Sequence, residues 1–227
     1  MEKIYTIPVN EAFDTCAEDH SVGCPFCEMY RKVQENELEL ILGASMMEPD
    51  VRIKTNEMGF CQKHFEMMLT RKNRLGLALM LESHLAQVSK EANGFGALKK
   101  IGKMNDSCYI CSRIEYHIDR MFETAVWLYE TDRAFERKME NQQYFCLPHY
   151  QKFLEVAKDN LKRSKYADFE RLVSRINNTY LTEVTADVSW FCKKFDYRYD
   201  EEPWGNAKDA PERAIKLLCG SLTKTSN

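Results

Sequence analysis

The sequence predicts an all-α fold made of two tandem helical repeats, followed by an aromatic tail and a short final helix. Apolar residues recur at the three- and four-residue spacing of an amphipathic helix through most of the chain. The alternation that is typical of strands is scarce. A signature of cysteine and histidine occurs twice, which indicates an internal duplication. The 227 residues are enough for one large or two small domains.

The first repeat contains four predicted helices. A short helix starts near Pro8, which is tolerated in a first turn, and a longer amphipathic helix covers residues 28–42. Residues 43–57 combine a glycine, a proline and a polar run, which predicts a connector. A third helix begins at residues 61–64, and a fourth covers residues 75–88.

The second repeat follows the same order. Apolar residues at helical spacing between residues 114 and 128 predict a helix, and a short helix is expected at 132–140. Residues 166–197 predict a long helix. Asp209 is expected to cap the last helix, which Gly220 ends.

The glycines and asparagines between residues 93 and 105 mark a boundary between the repeats. We therefore expect an N-terminal repeat at residues 1–93, a C-terminal repeat with the long helix at 103–198, and a docking tail at 199–227.

The duplicated signature is a CxxC pair followed by a CxxH pair. The second CxxC begins 84 residues after the first (108 minus 24), and the second CxxH begins 85 residues after the first (146 minus 61). Three thiolates and one imidazole at such spacings suit a closed tetrahedral Zn²⁺ site. The eight predicted ligands are Cys24, Cys27, Cys61 and His64 in the first repeat and Cys108, Cys111, Cys146 and His149 in the second.

We expect two Zn²⁺ ions, each held within one repeat, because each duplicated unit would then keep its own site. A swapped arrangement, in which the CxxC of one repeat meets the CxxH of the other, has the same sequence and stays open. An iron–sulfur cluster and dithiol redox chemistry at the CxxC pairs are the alternatives. Catalysis at the metal is disfavoured, because four protein ligands leave no open position.

The charge and the start of the chain bear on partners and location. The net charge of −3 gives no general attraction to nucleic acid or to anionic lipid. The first residues contain no apolar run of signal-peptide length, and the longest apolar stretch is too short to span a membrane. We expect a cytoplasmic protein with reduced thiols and a protein partner, and a homodimer is left open.

Aromatic residues are dense near the C-terminus. We expect them to dock over the helical core, and the alternative is a pocket or partner site built from the same residues. The candidate residues for that site are Trp190, Lys194, Asp196, Tyr197, Arg198 and Trp204.

The doubled CxxC and FCxxH motifs and the tail sequence PWGNAKDA at 203–210 also carry a family resemblance. The chain resembles the bacterial domain of unknown function 6062 family over about residues 4–220. That family name implies no activity. The sequence shows no catalytic triad order, no phosphate-binding glycine loop and no carboxylate pair in a recognisable frame. We therefore expect a non-enzymatic interaction or regulatory protein, with a redox protein and a zinc-dependent nucleic-acid binder as alternatives.

Overall fold

The predicted all-α fold is confirmed. A computed structural model describes residues 3–220, and within that range it contains eleven α-helices and no strand. The helices are α1 (Thr6–Glu18), α2 (Pro25–Leu42), α3 (Pro49–Met58), α4 (Gln62–Leu69), α5 (Arg74–Ala92), α6 (Ala97–Asn105), α7 (Tyr109–Thr131), α8 (Arg133–Glu140), α9 (Leu147–Asn160), α10 (Arg163–Lys193) and α11 (Ala210–Cys219). Short 3₁₀ turns lie at Lys3–Tyr5, Ala44–Met47, Tyr197–Tyr199 and Ala207–Asp209.

Two of these helices were not expected from the sequence. Helix α3 occupies much of the predicted connector, so that prediction is wrong there. Pro49 starts α3 in the first turn, where its missing N–H is not needed, and Thr55 is the one residue of the helix that is fully buried. Helix α6 lies within the predicted boundary and buries none of its residues fully. Helix α3 lacks the broad apolar stripe on which the prediction depends, and the few apolar residues of α6 lie among the glycines that indicated a boundary.

The C-terminal helices agree closely with expectation. The long helix α10 ends at Lys193, a few residues before the predicted end, and the chain then forms a 3₁₀ turn. Gly220 ends α11 with a φ of +88°, in the region that favours glycine. Asp209 stands at the N-cap of α11 but accepts no capping hydrogen bond from the backbone there, and its carboxylate accepts from Nε of Arg213 at 3.0 Å instead.

The chain folds into two compact units, which we describe separately. The first unit comprises the chain up to Met29 and from Asp119 onward, and the second comprises Tyr30–Ile118. Each unit therefore draws on both predicted repeats, and the division at 1–93, 103–198 and 199–227 stays a prediction about the duplicated sequence. The last seven residues of the predicted tail lie outside the described residues.

An aromatic cluster forms the core of the first unit. Phe26 stacks on Phe122 with ring centroids 3.8 Å apart, and Phe153 lies edge-on to Phe26 at 4.8 Å. Burial of each such ring stabilises the fold by about 1.5–3 kcal/mol. The cluster therefore fixes the start of α2 against α7 and α9. Its fully buried rings are Phe13, Phe26, Phe122, Phe135, Phe145, Phe153 and Phe169.

The second unit has a smaller core of aliphatic and methionine side chains. Leu38 and Ile41 of α2, Met68 of α4, and Leu77 and Met80 of α5 are all almost fully buried. A guanidinium nitrogen of Arg52 donates to the carbonyl oxygen of Leu79 at 2.7 Å, which ties α3 to α5. No helix among the described residues is long and apolar enough to span a membrane.

Candidate metal centres

The first candidate centre joins the CxxC pair of the first repeat to the CxxH pair of the second. We call Cys24, Cys27, Cys146 and His149 the first site; their four ligand atoms all lie within 4.8 Å of one another. Cys24 immediately precedes α2 and Cys27 lies in its first turn, while Cys146 is the N-cap of α9 and His149 lies in its first turn. Both sequence motifs place their ligands at helix starts, where the helix dipole favours thiolate.

The atoms of the first site have the spacing of a single tetrahedral ion. Nδ1 of His149 lies 3.6 Å from the sulfur of Cys24 and 3.5 Å from that of Cys27. It lies 3.1 Å from the sulfur of Cys146, which is 3.6 Å from that of Cys27. Zn–S bonds of about 2.3 Å and Zn–N bonds of about 2.0 Å place neighbouring sulfurs about 3.8 Å apart, and sulfur and nitrogen about 3.5 Å apart. The residues fit a Zn²⁺-sized ion.

The first site is enclosed by close backbone approaches. The three cysteine residues are at most 8% exposed. A Cβ added to Gly220 would lie 3.3 Å from the sulfur of Cys27 and 3.5 Å from that of Cys146, so the end of α11 covers the site. A Cβ on Gly23 would lie 2.7 Å from the hydroxyl of Tyr144, and its φ of +93° also favours glycine.

A buried asparagine positions the turn that carries Cys146. The side chain of Asn177 in α10 accepts from the N–H of Phe145 at 2.9 Å and donates to the carbonyl of Phe145 at 2.7 Å. Asn177 is 6% exposed. Because one amide satisfies both backbone groups of the residue before Cys146, this side chain fixes where α9 begins.

The second candidate centre joins the remaining two pairs. We call Cys61, His64, Cys108 and Cys111 the second site, and their ligand atoms also lie within 4.8 Å of one another. Cys61 is the N-cap of α4, and Cys108 immediately precedes α7.

Two hydrogen bonds join the turns that carry these ligands. The N–H of Tyr109 donates to the carbonyl of Gly59 at 3.0 Å, and the hydroxyl of Ser107 donates to the carbonyl of Met58 at 2.8 Å. The residues just before Cys61 are therefore held against those on either side of Cys108.

The second site also has tetrahedral spacing. Nδ1 of His64 lies 3.3 Å from the sulfurs of Cys61 and Cys108 and 3.5 Å from that of Cys111. The sulfurs of Cys61 and Cys111 are 3.9 Å apart. His64 is completely buried, and its Nε2 has no hydrogen-bond partner among the described residues. Its Nδ1 is thus the nitrogen directed at the cluster.

Burial and mutual contact control protonation at both sites. Burial raises the pKa of the Cys24 thiol well above its usual range, whereas hydrogen bonds from Cys146 and then Cys24 lower the pKa of Cys27. Desolvation in the second cluster, followed by the charge of Cys108, raises the pKa of Cys111 to about 12. Three crowded thiols therefore do not all ionise alone, and a bound cation is what would hold all three as thiolates.

Burial, followed by the charge of Lys63, lowers the pKa of His64 to about 4. The imidazole is consequently neutral near pH 7, which is the form that binds a metal ion.

The predicted pairing within each repeat is wrong. Each cluster takes its CxxC from one repeat and its CxxH from the other, which is the arrangement that the sequence analysis left open. The chain runs from Cys24 through the whole second site before it returns at Cys146. Spacing along the sequence cannot distinguish the two pairings, because the motifs are identical.

The profile of a protein family described as "Family of unknown function (DUF6062)" matches residues 1–225. The chain belongs to this family. No curated protein and no solved structure matches it. The resemblance seen in the motifs is confirmed, and DUF6062 membership assigns no activity to the two clusters.

In this DUF6062 protein the polar residues of the proposed tail site bind their own chain. Lys194 is 7% exposed, and its ammonium group donates to the carbonyls of Tyr199, Asp200 and Glu202 at 2.6, 2.9 and 2.8 Å. All three protons of Lys194 are therefore used within the tail. Its Nζ also lies 5.4 Å from the ring centre of Trp204.

The other proposed tail residues are divided between local contacts and solvent. Nε1 of Trp190 donates to the carbonyl of Pro203 at 3.0 Å. Asp196 caps the 3₁₀ turn and pairs with Arg198, with Oδ2 2.6 Å from Nη2 of the guanidinium. Tyr197 is 86% exposed. The six residues thus lie at the end of α10 and in the segment that follows it, and their role as a partner site stays a prediction.

Sequence reasoning missed three residues that shape the first site, namely Asn177, Gly220 and Tyr144. Gly220 was assigned only to the end of a helix, although it also lies against two cysteines. Of these three, only Asn177 could have been suspected from the sequence, because asparagine is unfavourable inside a long helix and needs a hydrogen-bond partner when it is buried.

Proposed function

We propose that this DUF6062 protein is a non-enzymatic interaction or regulatory protein with two structural Zn²⁺ sites of the Cys₃His type. The observation that supports this proposal is the pair of tetrahedral ligand clusters, each with four protein ligands. Four ligands fill the coordination shell of Zn²⁺, so the ion would have no position for a substrate or a reactive water. Its contribution would be to folding, because the ligands come from distant parts of the chain.

The sulfur spacing favours one ion per site over an iron–sulfur cluster. In a [4Fe–4S] cluster each cysteine binds a different iron, and in a [2Fe–2S] cluster two ligands bind each iron, so four ligand atoms spread beyond the 4.8 Å within which all four lie at each site here. The separations of 3.6 Å between Cys27 and Cys146 and 3.9 Å between Cys61 and Cys111 match a single ion. A single iron ion has similar requirements, so the redox alternative survives in that form.

A partner surface would use what the tail leaves exposed. Phe195 and Tyr197 are 75% and 86% exposed, while Lys194 is committed to the fold of the tail. The proposed partner is a protein, because large exposed aromatic side chains are typical of interaction surfaces. The net charge of −3 disfavours nucleic acid as the general partner. A cytoplasmic location is part of the proposal, since reduced thiols are needed at both sites.

Elemental analysis of anaerobically purified protein, together with its visible spectrum, tests the proposal. Two zinc ions per chain and no colour would support structural sites. Iron with visible charge-transfer bands would replace the proposal with a redox function. Salt-dependent retention on heparin would instead point to nucleic acid.

A further inference from the structure

The two clusters differ in how exposed their cysteine residues are. In the first site Cys24, Cys27 and Cys146 are all buried. In the second site Cys111 is exposed and Cys61 is of intermediate exposure, although Cys108 is buried. The chain therefore combines one cluster whose cysteines are all buried with one that includes a solvent-exposed cysteine.

The exposed residue Cys111 also has a second cysteine close by. The sulfurs of Cys61 and Cys111 are 3.9 Å apart, and a disulfide requires about 2.0 Å, so a small movement of two side chains at the ends of their motifs would join them. Cys108 is less suited, because it is buried and its sulfur accepts the backbone N–H of Cys111 at 3.5 Å. A sulfur that accepts a hydrogen bond is a weaker nucleophile.

We propose that the second site is a peroxide-sensitive modification site, with Cys111 as the thiolate that attacks the peroxide and Cys61 as the resolving one. The inference rests on the proposed Zn²⁺ occupancy, because the ion holds both sulfurs as thiolates. Its co-reactant is a hydroperoxide, represented by hydrogen peroxide. The first site has the same ligands and is the built-in comparison, since its sulfurs are buried.

The chemistry balances in two steps. The Cys111 thiolate attacks one oxygen of hydrogen peroxide, the O–O bond breaks, and a sulfenic acid and hydroxide form. The Cys61 thiolate then attacks that sulfur, the S–O bond breaks, and a disulfide and a second hydroxide form. Two thiolates lose two electrons in total and the peroxide gains them. Zn²⁺ keeps only His64 and Cys108 as ligands, so it dissociates.

Peroxide titration of protein loaded with two zinc ions tests this proposal. Released zinc is followed with a colorimetric chelator, and disulfides are mapped by mass spectrometry after alkylation. We expect one zinc ion to leave about tenfold faster or more than the other, with a disulfide between Cys61 and Cys111. Equal release from both sites, or a fast phase without that disulfide, would overturn the inference.

Two variants sharpen the test. Cys111→His keeps four ligands in a Cys₂His₂ set but removes the thiolate that attacks the peroxide, so we expect two bound zinc ions and no fast phase. Cys192→Ser removes an exposed cysteine that is not a ligand, and it should release zinc as the unmodified chain does. A chain that binds no zinc at all contradicts the proposed function, whereas a fast phase that persists in Cys111→His overturns only the peroxide site.

Discussion

Removing cysteines in pairs distinguishes the observed ligand pairing from pairing within each repeat. Cys24→Ser with Cys146→Ser removes two ligands from the first site and leaves the second intact. Cys24→Ser with Cys61→Ser instead removes one ligand from each site. We expect the first double variant to keep one tightly bound zinc ion and the second to keep none after dialysis against a weak chelator, because an incomplete ligand set binds zinc far less tightly.

The loss of stability that each variant should show follows from the length of the loop that each ion would close. The first site joins Cys27 to Cys146 across 119 residues, and the second joins Cys61 to Cys111 across 50. If an ion restricts the unfolded chain as a disulfide does, these closures contribute about 5 and about 4 kcal/mol. A small domain has a net stability of only about 5–15 kcal/mol. Loss of either ion should therefore unfold most of the unit that contains it.

Zinc per chain by elemental analysis and thermal unfolding by circular dichroism measure the two consequences. Cys192→Ser is the matched control and should keep two ions and the parent melting curve, because Cys192 is an exposed non-ligand. The reasoning is refuted if Cys24→Ser with Cys146→Ser loses both ions while Cys24→Ser with Cys61→Ser keeps one. That pattern is the one that pairing within each repeat requires.

Three further outcomes are expected. Gly220→Ala should lower the free energy of unfolding by about 1–3 kcal/mol and weaken zinc binding at the first site, because the φ of Gly220 is +88° and the new methyl group crowds two sulfurs. Its control is Gly102→Ala, which lies in open space within α6 and should be neutral or stabilising in the same thermal melt. Asn177→Ala should lower the free energy of unfolding in urea by about 2–4 kcal/mol, because it leaves the buried N–H and carbonyl of Phe145 unpaired. An unchanged urea midpoint would contradict the positioning role of Asn177. Acid should lower the urea midpoint as the pH falls from about 6.5 to about 4. Burial and then Lys63 lower the pKa of His64 to about 4 even without a metal ion, and a bound ion would hold the imidazole neutral as well. The unfolded chain therefore binds a proton over that range that the folded chain does not.

Helices with a broad apolar stripe were predictable from the sequence, and helices without one were not. The stripe between residues 114 and 128 predicted α7, because one side of that helix is buried along its length. Helix α3 was read as a connector, since almost no side chain of it is fully buried and its composition is that of a loop. The sequence indicates a helix mainly through the apolar residues that the helix buries, and α3 and α6 bury few side chains.

At the candidate sites, features that depend on neighbouring residues were predictable, and features that depend on contacts between distant parts of the chain were not. All eight candidate ligands that the structure brings into two clusters were predicted from spacing within four-residue motifs. Their pairing depends on which helix start meets which, and the two CxxC pairs are equivalent in sequence. The cover that Gly220 gives to the first site is also a contact between distant parts of the chain. Neither the pairing of the ligands nor the position of Gly220 against the first site can be derived from one sequence, because no local propensity distinguishes the alternatives.

The exchanged pairing has a consequence for the order in which the chain can assemble. The loop closed between Cys61 and Cys111 lies wholly inside the one closed between Cys27 and Cys146. Once the inner loop is closed, subtracting its 50 residues from the outer 119 leaves an effective span of about 69. By loop-closure entropy this shortening makes the outer closure easier by about 0.5 kcal/mol. The nesting favours a hierarchical route, in which the second site forms first and the first site, which closes the outer loop, forms last.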